Sequence, residues 1–168
     1  MVYSPTQNPT IDDNKIEIAG TGVGSFSASV FGLSPGVRYY VRAYAIQEGE
    51  PVYGGEATFT TLAIPPEITT NDVTTFTASV ATLGGKITNV GEPAYIARGM
   101  CYSTSPNPTT ADSRMSAPGS GTGNFSVNVT NLTTNTVYYA RAYVIFANGT
   151  VYGEQVSLKQ IMSHLPMK

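Results

Sequence analysis

The chain repeats itself. Slid by 99 residues, positions 1–60 fall on positions 100–159 without a gap. Tyr3-Ser4 meets Tyr102-Ser103, and Asn8-Pro9-Thr10 meets Asn107-Pro108-Thr109. Gly20, Gly22, Gly24 and Phe26 meet Gly119, Gly121, Gly123 and Phe125. Tyr39 to Tyr44 meets Tyr138 to Tyr143, and Val52-Tyr53-Gly54 meets Val151-Tyr152-Gly153. Chance does not produce such a self-match, so one supersecondary unit of about 100 residues must serve for both halves. The copies are unequal. Residues 65–99 precede the second copy, and nothing ahead of Met1 corresponds to them. The domain reading is therefore 1–61 as a repeat lacking its two opening strands, 62–66 as a short proline-stiffened linker, 67–160 as a complete repeat, and 161–168 as a tail that matches neither.

Within a repeat the signal is alternation broken by turn residues. Strands are expected near 67–71 (A), 76–88 (B), 95–103 (C), 112–117 (C′), 123–131 (E), 136–147 (F) and 150–159 (G). Ala81, Leu83, Gly85 and Ile87 share one face of B, and Phe125, Val127 and Val129 share one face of E. Only 12% of residues are charged, about half the usual share, and Thr, Ser, Gly, Asn and Pro replace them. Thr, Val, Tyr and Phe suit pleated, half-buried surfaces, while Gly, Pro and Asn punctuate turns. The fold class that follows is all-β, as tandem antiparallel β-sandwiches. A single cysteine excludes an intrachain disulfide. No stretch has the length of a membrane span. A net charge of −2 offers no basic field to a nucleic acid. The opening residues lack the basic and apolar regions of a signal peptide, so an exported form would be a mature fragment or part of something longer.

The residues that could carry chemistry do not converge. His164 is the lone histidine, lies in the unmatched tail, and cannot by itself build a triad or a multi-histidine metal site. Cys101 aligns with Val2 and reads as a small hydrophobe on the inner face of strand C. Asp12-Asp13-Asn14 has the oxygen density of a calcium loop. Its counterpart Ala111-Asp112-Ser113 keeps one acid, which points to a solvated C–C′ turn. The glycines at 20–24 and 119–123 are followed by a strand pattern, whereas a phosphate loop requires a helix. No catalytic residue, metal ligand or cofactor is expected, and the chain reads as a non-enzyme.

At strand F the sequence resembles a known family. Leu33-Ser34-Pro35-Gly36 leads to Tyr39, and Leu132 leads to Tyr138 at the same spacing. This is similar to the fibronectin type III pattern, which implies that Tyr39 and Tyr138 are tyrosine corners whose hydroxyls bond back to the E–F loop. Ala81-Thr82-Leu83-Gly84-Gly85, Arg98 to Ser103, Ser105 to Thr109 and Gly119 to Phe125 together resemble the fibronectin-like repeats of Bacteroidetes surface and secreted proteins. The resemblance implies an extracellular or cell-surface location. The strand B Trp of animal members is absent, as is any Arg-Gly-Asp loop, so integrin binding is not implied.

If Tyr39, Val41 and Ala43 face the core, then Tyr40, Arg42 and Tyr44 face outward, as do Tyr139, Arg141 and Tyr143 in the second copy. Strand C is expected to add Arg98, Met100 and Tyr102 to that face. Tyr and Arg are enriched at binding hot spots, but cross-strand Tyr–Arg ladders also stabilise open sheets. Occurrence in both copies favours scaffold over site. The functional expectation is a spacer and adhesion or binding display module with an unknown protein or glycan partner. The alternatives are an accessory module of a carbohydrate-active enzyme and a dedicated binder using the Tyr/Arg face. Finally, the first copy begins inside strand C. Its inward Val2, Phe26, Val30, Leu33, Tyr39, Val41 and Phe59 would lack the cover that A and B give the second copy. That implies residues ahead of Met1, a second chain (a homodimer through the first repeat), or local rearrangement.

Overall fold

The computed structural model describes residues 1–73, 75–77 and 79–159. The 161–168 tail, with His164, lies outside them. The chain divides into two units, Met1–Ala63 and Ile64–Lys168. Among the described residues every regular element is a strand, and all pairings are antiparallel.

The second unit is a two-sheet sandwich. One sheet has β5 (Glu67–Thr70), β7 (Ala81–Asn89) and β10 (Gly123–Val129), in the order β10-β7-β5, with β6 (Thr75–Phe76) also on β7. The other has β8 (Ala97–Ser103), β9 (Ser113–Ala117), β11 (Val137–Phe146), β12 (Gly149–Tyr152) and β13 (Val156–Lys159). There β11 lies at the centre, pairing with β8, β12 and β13. Alternation places Leu83 and Ile87 of β7, Phe125, Val127 and Val129 of β10, and Ala140, Ala142 and Val144 of β11 in one buried cluster. Each large apolar side chain buried this way contributes about 1.5–3 kcal/mol. The sheets close tightly at Gly85. A Cβ there would lie 2.6 Å from the Ala142 Cβ and 2.9 Å from the Thr69 carbonyl oxygen.

Strand C lies the other way round from the sequence expectation. Antiparallel partners share a face, and the ladder pairs Arg141 with Cys101 and Ala142 with Met100. Arg98, Met100 and Tyr102 therefore face the core, while Cys101 faces away from it. Tyr102 packs on the core beside Tyr138, with ring centroids 6.5 Å apart. Cys101 is nonetheless fully buried, because the loop after β8 folds back over this face. Its thiol donates to the Pro108 carbonyl at 3.3 Å, and Pro108 is itself fully buried. Val2, paired with Arg42, is turned the same way and is equally buried.

The first unit is a single sheet of β1 (Val2–Ser4), β2 (Asn14–Lys15), β3 (Arg38–Gln47) and β4 (Glu50–Thr60), in the order β2-β1-β3-β4. It matches the β8–β9–β11–β12–β13 sheet at the offset of the repeat. The stretch aligned with β10, residues 24–30, forms no strand. The reason is tertiary: β10 takes its ladder hydrogen bonds from β7, and no strand of residues 1–63 plays that part. Phe26 is 52% exposed where Phe125 is 7%. Strand G differs as well. It is continuous as β4 but broken between β12 and β13, where Gly153 meets the end of β5. A Cβ on Gly153 would lie 2.6 Å from the Thr70 amide nitrogen, and Thr70 Oγ1 accepts from the Ala142 amide at 2.9 Å. The strand expected over 76–88 likewise divides into β6 and β7.

Candidate binding face

The face of the central strand turned away from the core carries Tyr139, Arg141 and Tyr143, and in the first unit Tyr40, Arg42 and Tyr44. Its chemistry is mostly directed inward, to the protein itself. Arg141 Nε donates to the Gly153 carbonyl at 3.0 Å, and its guanidinium lies 4.6 Å from the ring centroid of Tyr152. The Tyr152 hydroxyl in turn accepts from the Thr110 amide at 3.0 Å, which pins the loop after β8. The first unit repeats each part. Arg42 Nε donates to Gly54 at 3.2 Å, its guanidinium stands 4.5 Å over Tyr53, and the Tyr53 hydroxyl accepts from Ile11 at 2.9 Å. Such cation–π pairs are worth about 0.5–1 kcal/mol at exposed sites, and here they also fix loop geometry. The same loops are closed at their far ends by Asp112 and Asp13, whose carboxylates accept from the Thr109 and Thr10 amides at 2.9 Å.

Tyr143, expected on the outer face, stands on that side yet is 1% exposed. It lies over Gly99, where a Cβ would come within 2.7 Å of its hydroxyl, and that hydroxyl reaches Ser116 Oγ at 3.5 Å. Arg98 and Tyr102 belong to the opposite side. Arg98 donates to the Pro118 carbonyl at 2.7 Å and to the Tyr95 hydroxyl at 3.3 Å, and its guanidinium lies 5.1 Å from the Phe125 ring centroid. Of the nine residues expected to form one face, Tyr40, Tyr44 and Tyr139 are half-buried without an anchoring role like that of the two arginines. Arg38 lies 5.4 Å over the Tyr40 ring. Tyr44 borders an open hollow of about 900 Å³ lined also by Met1, Ile16, Ile18 and Phe26.

The hydroxyls of Tyr39 and Tyr138 do bond back to the loop before strand F, accepting from the Ser34 amide at 3.2 Å and the Thr133 amide at 3.1 Å. Tyr39 is buried, packed edge-on to Tyr3 and stacked on Phe59, while Tyr138 is half-buried.

Burial pushes the Cys101 thiol up to about 11, which keeps it protonated at neutral pH and a poor nucleophile. No group of three or more His, Cys, Asp or Glu side chains converges among the described residues. No helix among them is long and apolar enough to cross a membrane.

No family model matches the sequence, and no curated protein does. Solved structures do. The sensor domain of the anti-sigma factor RsgI4 from Pseudobacteroides cellulosolvens aligns at 20% identity and a TM-score of 0.46, over 58% of this chain and 96% of that one. The chicken CNTN1 FN1–FN3 domains align at 17% and 0.44, over 75% of this chain and 43% of that one. Domains d3–d4 of the rat CD45 extracellular region align at 18% and 0.42, over 91% and 77%. These are likenesses of fold, and the sandwich itself follows from the strand pairing.

The anchoring residues Tyr53, Gly54, Tyr152 and Gly153 were absent from the sequence-based site. Their signal was available in the Val-Tyr-Gly triplet that recurs at 52–54 and 151–153.

Proposed function

We propose that the chain is a non-catalytic module of an extracellular or cell-surface protein, two tandem fibronectin type III-like repeats that act as a spacer and display element. The observation that carries this reading is the doubled Arg–Tyr–Gly anchor. The most binding-like side chains of the outer face, Arg42 and Arg141, are held by Tyr53 and Gly54 or Tyr152 and Gly153 of their own unit. A residue pattern that does the same structural work in both copies supports scaffold over ligand recognition. The motif set resembling Bacteroidetes surface proteins supports the location and the kind of source. The partner, on this reading, is a protein or glycan engaged by neighbouring parts of the assembly rather than by the Tyr/Arg face. A glycan array and a hydrolase substrate panel test it, using the chain and a Tyr40→Ala/Tyr139→Ala variant. The expected result is background signal throughout. Saturable glycan binding lost in the double variant would replace the spacer reading with a dedicated binder.

A further inference from the structure

We propose that the turn between β11 and β12 is a self-modification site, at which Asn148 cyclises onto the main-chain nitrogen of Gly149 and is converted to aspartate and isoaspartate. The reaction needs only water. The Gly149 nitrogen attacks Cγ of Asn148, and a nitrogen–carbon bond forms. The Cγ–Nδ2 bond breaks, and Nδ2 leaves as ammonia with the proton given up by the attacking nitrogen. Water then opens the five-membered succinimide. Breaking the bond from the Gly149 nitrogen to Cγ restores the main chain with an aspartate at position 148. Breaking the bond to the main-chain carbonyl carbon instead leaves the chain running through the side chain, as isoaspartate.

Three observations single out this position. The first is the neighbour. A side chain on the following residue crowds the attacking nitrogen, and glycine has none. Of the asparagines, only Asn148 is followed by glycine. Asn8 and Asn107 precede prolines, whose nitrogen has no proton to lose, and the others precede larger residues. The second is access. Asn148 stands exposed at the tip of its hairpin. Elsewhere carboxamides are tied down: Asn89 accepts from the Gly91 amide and Asn128 from the Thr82 hydroxyl, both at 2.9 Å. The third is the turn itself. Ala147 and Asn148 form it, and Phe146 pairs with Gly149 as the last rung of the ladder. A Cβ on Gly149 would meet nothing within 4 Å, so no neighbouring element packs on it. End rungs open without unfolding the sheet they terminate, and opening frees the Gly149 nitrogen for attack.

The first unit holds the same hairpin without the reactive group. Gln47 pairs with Glu50 across Glu48-Gly49, so one copy is an internal control for the other. Conversion adds a negative charge to a chain of formal net charge −2. Isoaspartate also lengthens the turn by one main-chain carbon. The adjoining rungs are Ile145–Thr150 and Val144–Val151, and Val144 is fully buried.

The test incubates the intact 168-residue chain at neutral and at mildly alkaline pH. Ion-exchange chromatography, peptide mapping by mass spectrometry and labelling with an isoaspartyl methyltransferase follow the products. The expected result is a more acidic species whose mass change maps to positions 148–149 and which the methyltransferase labels. It is expected to form faster at alkaline pH, because the attacking nitrogen must lose its proton, while the 48–49 turn stays unchanged. Asn148→Gln, which would have to close a six-membered ring, is expected to lose the acidic species and keep the fold. Hydrogen exchange over 145–151 is expected to be faster in the purified isoaspartate form than in the unmodified chain. A synthetic peptide of residues 144–152 gives the rate without the fold. Conversion of that peptide with none in the chain would mean that the hairpin protects the amide, and would overturn the proposal. So would an acidic species that maps to other asparagines instead, or one that persists at full yield in Asn148→Gln.

Discussion

Arg98 is a buried guanidinium with no carboxylate against it among the described residues. It is satisfied by the Pro118 carbonyl, the Tyr95 hydroxyl and the face of Phe125, and its Nε has no partner among the described residues. Removing the side chain strands the Pro118 carbonyl and opens a gap beside Phe125. Arg98→Ala is expected to destabilise the second unit by on the order of 2–3 kcal/mol in urea titration, and an unchanged midpoint would refute this role. The sequence could not place Arg98. Alternation tells two faces apart only when one of them meets water, and β8 is covered by a sheet on one side and by the Pro108 loop on the other. Cys101 shows the same ambiguity from the outer side. Because folding raises its pKa, the folded state holds the thiol proton more tightly than the unfolded chain does. Its contribution to stability is complete below about pH 9 and is lost as pH rises towards about 11. Cys101→Val, which installs the residue found at the aligned Val2, is expected to remove that part of the alkaline loss when denaturation midpoints are compared at pH 8 and 10.5. The corner tyrosine was legible because its spacing from Leu132 belongs to the chain's local geometry. Tyr138→Phe leaves the Thr133 amide without its acceptor and is expected to cost on the order of 1 kcal/mol.

At the scale of elements, most strands were readable because alternation and turn residues are local properties. The departures are tertiary. Strand G divides in the second unit because Thr70 presses on Gly153 and bonds to Ala142, an interaction between residues far apart in sequence. Residues 24–30 fail to form a strand despite the right pattern, because a strand is a pairing and residues 1–63 hold no strand in the place that β7 takes in the second unit. Gly85 is the most exacting position of β7. Gly85→Ala drives a methyl into Ala142 and the Thr69 carbonyl, with backbone on one side unable to yield. A loss of about 1–3 kcal/mol is expected, read as a lower melting temperature of the second unit with no change in exchange at 24–30.

For the whole molecule, the two units differ in the one property that sets domain stability, the apolar surface withdrawn from water. The second unit closes a core from two sheets. The first is a single sheet with Phe59 partly exposed, Phe26 half-exposed and Phe31 85% exposed. Net domain stability is only about 5–15 kcal/mol, and each large apolar side chain left in water forgoes about 1.5–3 kcal/mol, so the units cannot be equally stable. Calorimetry of the intact chain is therefore expected to show two transitions instead of one cooperative unfolding. The upper one should belong to residues 64–159 and move down with Gly85→Ala. The lower and broader one should belong to residues 1–63 and move down with Phe59→Ala, which removes the ring stacked on Tyr39. The crossed responses make the assignment testable: a single transition displaced by both substitutions would mean that the first unit draws its stability from the second, and that its open sheet is not thermodynamically separate.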